Sequence, residues 1–431
     1  MALEFAVEVF QNEFLPEGAA EVNAILTVSA TGQAGDAAPV VPDADAAQVI
    51  IVDTSGSMRY PPAKLTAAKR ATEVAIDTLR DGVKFAVVAG TDQAEMVYPH
   101  AAGLVVASAA SRSAAKRAVA RLQADGGTAM GQWLLLAQRV FEGHDSGPRH
   151  VILLTDGQNQ HESPQQLTKV LDQVAGRFTG DCRGVGTDWQ VAELRRISEA
   201  LLGTVDIVAE PEGLAEDFRA MTATAMDKAV ADVALQLWTP EGARVKFLKQ
   251  ASPGLLDLTD RRVEAAPRTG DYPTGAWSGV ESRDYHLCVE VKAGNVGDRM
   301  LAGRVSLVGP DGDVLGQGRV LAVWTDDSGL STRISPEVAH YTGQAELAEA
   351  IQEGLEARKS GDAETATARL GRAVKLAHES GNTGTAKLLA KVVEVKDPAT
   401  GTVKLRARVA DVDEMTLDTR STVTKRVGKD R

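Results

Sequence analysis

Aromatic residues make up only 4% of this 431-residue chain, so its cores must rest on Val, Leu and Ala within a 44% apolar composition. Cysteine is nearly absent. Its two copies, Cys182 and Cys288, lie in strand-like segments assigned to different domains, which argues for two buried thiols over a disulfide. No Cys or His spacing suits zinc, and neither G-x-x-x-x-G-K-[ST] nor G-x-G-x-x-G occurs, so no nucleotide site is expected. An excess of basic charge is lacking too. The balance of 47 Lys and Arg against 59 Asp and Glu gives −12, which argues against nonspecific nucleic-acid binding and against attraction to anionic lipid. No apolar run reaches the length of a membrane span, and residues 1–10 carry neither a basic start nor a continuous apolar stretch. A cytoplasmic location is therefore expected.

What the chain does contain is Asp53-Thr54-Ser55-Gly56-Ser57-Met58 directly after the apolar run 47–52, so one carboxylate and two hydroxyls leave a buried strand together. Oxygen donors of this kind suit a hard divalent cation such as magnesium, with Mn2+ or Ca2+ as alternates, better than a soft transition metal. Gly126-Gly127-Thr128 adds a third hydroxyl, and Thr155-Asp156-Gly157 follows the apolar run 151–154. In an open parallel sheet, ligands bind beyond the carboxyl ends of the strands, where Asp53 and Asp156 would both lie. The plainer alternative is that Asp53 and the serines cap a helix starting near Pro61 or Pro62, but capping explains neither Thr128 nor Asp156.

At these residues the chain resembles the von Willebrand factor A domain, whose metal-ion-dependent adhesion site reads D-x-S-x-S, then a distant Thr and a distant Asp. The resemblance implies a ligand set of Asp53, Ser55, Ser57, Thr128 and Asp156. It implies that Ser55 and Ser57 coordinate directly and the other three directly or through water. The open position of the ion would take an acidic group, an Asp or Glu, from a protein partner. The chain as a whole also looks like actinobacterial cytoplasmic A-domain proteins.

Residues 46–228 alternate strand and helix patterns, which predicts a doubly wound α/β sheet covered by helices on both faces. Before and after it the period changes to that of strands. The two N-terminal strands within 1–45 cannot bury a core alone, so the economical reading joins them to the strands of 229–328 in one antiparallel β-sandwich into which the wound domain is inserted. That layout resembles the hybrid and inserted domains of integrin β chains, where a shift of the last helix would tilt the sandwich; a static site is the favoured expectation. Residues 335–395 read as a small helical bundle, and 396–431 as a partly disordered, flexible tail low in apolar content.

The tail cluster around Thr416 and Thr419 is expected to be solvated and unmodified, with phosphorylation read by a phosphothreonine-binding module as the minority view. The family resemblance adds forkhead-associated (FHA) domains and Ser/Thr kinases as associates, and an AAA+ ATPase as an alternative partner. Asp188 is expected to cap the next helix and Trp189 to pack its first turn, with a role for Trp189 in gripping a partner as the minority view. Catalysis is not expected. No acidic residue stands two positions after Asp53, as a phospho-aspartyl hydrolase would require, and His161 reads as a surface or helix-start residue.

Overall fold

Seven consecutive residues from Ala47 to Asp53 are all buried, which is what a central parallel strand flanked by strands and helices demands. The computed structural model describes residues 3–32, 46–144 and 147–426. The sheet runs Val205–Val208, Thr179–Val185, Arg149–Thr155, Ala47–Asp53, Lys84–Gly90, Ala94–Tyr98. The first five are parallel, and Ala94–Tyr98 closes the edge antiparallel. Strand order reverses at Ala47–Asp53, which opens a crevice at its carboxyl end.

Helices cover both faces. Ile50, Val52, Phe85, Val87, Ile152 and Leu154 pack against Ala68, Ala71 and Ala75 of helix Ala63–Thr78 and against Leu214, Phe218 and Met221 of helix Leu214–Met226. The amphipathic helix Met130–Phe141 buries Trp133, Leu134, Ala137 and Val140 against the sheet, and Trp133 donates its Nε1–H to the Thr91 carbonyl at 2.6 Å. This compact unit runs through Asp232 and takes in Gly275–Gly279.

The second unit takes Val233–Thr274, the residues from Val280 onward and the N-terminal strands. Its five-stranded sheet is ordered Glu4–Gln11, Glu21–Thr31, Val280–Glu290, Arg244–Ser252, Leu256–Asp257. Strand Glu21–Thr31 pairs residue for residue with Val280–Glu290, so the N-terminal hairpin does find its partner on the far side of the inserted domain. A six-stranded sheet contains Lys228–Trp238, Arg299–Val308 and Val314–Thr325, the last two joined through the Gly309–Asp313 turn. Strand Thr269–Ser278 was not anticipated, because Gly270, Pro273 and Gly275 interrupt its apolar pattern.

The helical region packs Leu347, Ile351, Leu355, Leu370, Val374 and Leu389 between helices Pro336–Ser360, Ala363–Glu379 and Thr383–Val392. Two expectations are corrected here. The helical bundle expected over 335–395 ends at Val392, where Val393–Asp397 pairs with Thr402–Leu405 as a hairpin. The tail from Lys396 is folded through Arg426, and residues 427–431 lie outside the described residues. Helix Asp411–Arg420 inserts the fully buried Leu417 into the bundle core, and Arg358 pairs with Glu414 at 2.6 Å. Beyond it, Leu255 N–H bonds the Thr422 carbonyl at 2.8 Å, and the Thr424 hydroxyl bonds the Ala251 carbonyl at 2.6 Å. Low apolar content concealed this because one leucine and backbone pairing do the anchoring. Thr419 is wholly buried, whereas Thr416 is half-buried and its hydroxyl bonds the Val412 carbonyl. Both thiols are buried and free.

Candidate metal centre

The parallel register that sets Val52 beside Leu154 makes Asp53 and Asp156 leave neighbouring strands at the same rim. Cross-bonds then fix the Asp53 loop to the end of strand Lys84–Gly90 and to the loop that carries Thr128. Thr54 N–H bonds the Gly90 carbonyl at 2.8 Å, Asp125 N–H the Thr54 carbonyl at 2.8 Å, and Gly56 N–H the Gly126 carbonyl at 2.9 Å. Neither the 3-10 turn Gly56–Arg59 nor helix Ala63–Thr78 is capped by a side chain, so helix capping does not account for Asp53, Ser55 or Ser57.

Their oxygens form a connected set. Asp53 Oδ1 accepts from Ser55 N–H at 2.7 Å, and its Oδ2 accepts the Thr155 hydroxyl at 2.6 Å. The Ser55 and Ser57 hydroxyls are 2.9 Å apart, and Ser57 Oγ donates to Asp156 Oδ1 at 2.6 Å. Thr128 joins from the third loop: a Cβ on Gly157 would lie 3.2 Å from Ser57 Oγ and 3.6 Å from Thr128 Oγ1, so both hydroxyls gather over the same backbone position. The structure thus brings all five expected residues together. Asp53, Ser55, Thr128 and Asp156 are buried while Ser57 and Gly56 are exposed, so the donors line a recess with an open mouth.

Burial dominates the electrostatics. It pushes the Asp53 carboxyl up to about 6 despite hydrogen bonds from Ser55 and Thr155, with the Asp156 charge adding to the rise. Two buried carboxylates among three hydroxyls fit a hard dication, which would supply the positive charge that Asp53 lacks. The Lys64 ammonium bonds Asp156 Oδ2 at 2.7 Å and Asp188 Oδ2 at 3.0 Å. Burial works against that ammonium, but the two carboxylates outweigh it and raise its pKa.

Other supporting residues carried no clear mark in the sequence. His161 is exposed, as expected, but its Nδ1 accepts Thr128 N–H at 3.2 Å, and its own N–H bonds the Thr128 carbonyl at 3.0 Å. Asn159 and Glu162 hold the amides of Met130 and Gly131, each at 2.9 Å. Asp188 does not cap the following helix, whose N-cap is Gln190 without a side-chain bond; its carboxylate faces Lys64 instead. Trp189 is only 3% exposed and so offers no partner surface. Its ring lies over Gly184, where a Cβ would come within 1.9 Å, and its Nε1–H bonds the Gly186 carbonyl at 3.0 Å.

Residues 47–207 match the von Willebrand factor type A domain, and residues 375–421 match the von Willebrand factor type A C-terminal domain. A solved von Willebrand factor type A structure from Catenulispora acidiphila is 55% identical, with a TM-score of 0.93 over 98% of this chain and 97% of that one. The ArnB paralog VWA2 from Sulfolobus acidocaldarius shares the fold at 13% identity, with a TM-score of 0.59 over 98% of both chains. The uncharacterized protein sll0103 of Synechocystis is 29% identical over 235 residues, or 52% of this chain. The chain spans about half, 53%, of the length of that curated relative.

Proposed function

Since the chain belongs to the von Willebrand factor type A family, we propose that it is a magnesium-dependent protein-binding scaffold whose rim engages an acidic residue of a partner. The convergence of Asp53, Ser55, Ser57, Thr128 and Asp156 at one open-mouthed recess carries this reading. Ser55, Ser57 and Thr128 would hold the ion with Asp53 and Asp156 supplying the balancing charge. The ion would act there as a Lewis acid for a partner carboxylate, and it inverts the local field so that an acidic protein can hold an acidic ligand. The chain's own part is to keep the donors converged. The cross-bonded loops do this together with the exposed Ser57 and His161 side chains, which hold Asp156 and the Thr128 amide.

Binding is favoured over catalysis. Both Asp53 oxygens accept hydrogen bonds, from Ser55 and Thr155, and His161 Nδ1 accepts the Thr128 amide, so both side chains are tied into the framework of the site, which supports the binding reading. Among the described residues no helix is long and apolar enough to cross a membrane. A cytoplasmic site of action, in signalling or complex assembly, is part of the proposal. An FHA or kinase partner would co-purify in a phosphate-dependent manner and an AAA+ ATPase in a nucleotide-dependent one. The deciding experiment immobilises the parent chain and Asp53→Ala, each with Mg2+ and with chelator. A partner retained only by the parent with Mg2+ supports the reading; retention indifferent to both changes overturns it.

A further inference from the structure

Lys64 is the charged group at the rim that the five oxygen donors do not account for. It stands in the first turn of helix Ala63–Thr78, it is only 8% exposed, and lysine is seldom so buried without a specific partner. Its ammonium joins the loop after strand Arg149–Thr155, through Asp156, to the loop after strand Thr179–Val185, through Asp188. The second loop is itself pinned by the Trp189 bond to the Gly186 carbonyl. Asp156 is therefore held from both ends: Ser57 occupies Oδ1 at 2.6 Å and Lys64 occupies Oδ2 at 2.7 Å. Asp188 has a side chain 69% exposed, so water screens most of its charge.

The buried charges at the site are then two carboxylates and one ammonium, which sum to minus one. A dication placed among them leaves a surplus positive charge, and one incoming carboxylate neutralises it. We propose that Lys64 is a positioning and charge-setting residue, which keeps Asp156 turned away from the ion so that a divalent metal binds weakly alone and tightly together with an incoming carboxylate. This rests on the metal-dependent reading of the same site. By reciprocity, whatever factor the acid adds to metal affinity the metal adds to acid affinity. Lys64 thus makes the recess respond to the pair and not to the ion alone.

The test is calorimetric titration of the full chain with Mn2+, without and with saturating acetate, for the parent, Lys64→Met and Lys64→Arg. The parent is expected to bind Mn2+ at least about tenfold more tightly with acetate than without it. Lys64→Met, which keeps the stem and loses the charge, is expected to bind Mn2+ alone at least about tenfold more tightly than the parent. Its acetate enhancement is expected to collapse, and Lys64→Arg is expected to restore both properties. Parent affinity indifferent to acetate overturns the proposal without any variant having to fold. Lys64→Met with unchanged or weaker Mn2+ affinity and the parent's acetate response overturns it as well. In both cases metal binding itself stands. A parent that takes up no Mn2+ overturns the metal reading and this inference with it.

Discussion

A buried carboxyl whose pKa stands at about 6 makes the metal site sensitive to acid within a narrow window. The metal needs Asp53 ionised, so proton and metal compete for the same group. With that pKa, about nine-tenths of Asp53 is ionised at pH 7 and about one-tenth at pH 5, and Mg2+ affinity should fall about tenfold between them. The metal-free protein carries the complementary signature. The folded value exceeds the ordinary 3.8, so between about pH 4 and 6 the folded state holds a proton that the unfolded chain has lost. Stability of the metal-free chain is therefore highest below that window, declines as pH rises through it and levels off above. A shift of about two pH units sets a ceiling of about 3 kcal/mol on the loss. Asp53→Asn should abolish both effects and stand more stable than the metal-free parent at pH 7. Isothermal titration from pH 5 to 7, in buffers of different ionisation enthalpy, reads affinity and proton release together. Affinity constant across the window, with no proton released at pH 6, would refute the argument.

Three further outcomes follow from the packing. His161→Ala removes the acceptor of the Thr128 amide, so Mg2+ affinity should drop about tenfold with little change in melting temperature, read by titration and thermal melting. Trp189→Ala should cost about 3–5 kcal/mol in chemical denaturation by emptying the space over Gly184, and folded molecules should still bind metal. Leu417→Ala should cost about 2–5 kcal/mol, because the residue sits in the bundle core; a cost under about 0.5 kcal/mol would mean that the C-terminal segment contributes nothing to the fold.

Much of this architecture is readable from local pattern. The uninterrupted apolar run before Asp53 marks a central strand, the alternating strand and helix patterns of 46–228 mark the wound sheet, and the five donors sit at motif spacing. The N-terminal hairpin could be placed in the sandwich because two strands alone cannot bury a core. What stayed hidden depends on tertiary contact. Lys64 looks like one more solvated lysine beside Lys69 and Arg70, and only the converging loops reveal that it is buried. Thr155 stands beside Asp156 in the sequence, but its bond to Asp53 spans 102 positions. The start of helix Ala109–Val119 is set by a capping box between the Ser108 and Ser111 hydroxyls, which a search for acidic or amide partners overlooks. The C-terminal segment misled for the opposite reason: its order comes from backbone pairing and from Leu417, and mean composition dilutes both.

The central claim is that five oxygen donors, from three loops of one sheet rim, hold a divalent cation whose remaining position faces solvent. Anomalous diffraction from crystals of the full chain grown with Mn2+ tests it most directly. The account predicts one strong peak bounded by Ser55, Ser57 and Thr128, with Asp53 and Asp156 in its inner or outer coordination sphere, and its loss in Asp53→Ala. A peak elsewhere, or none at that recess under saturating Mn2+, would contradict it.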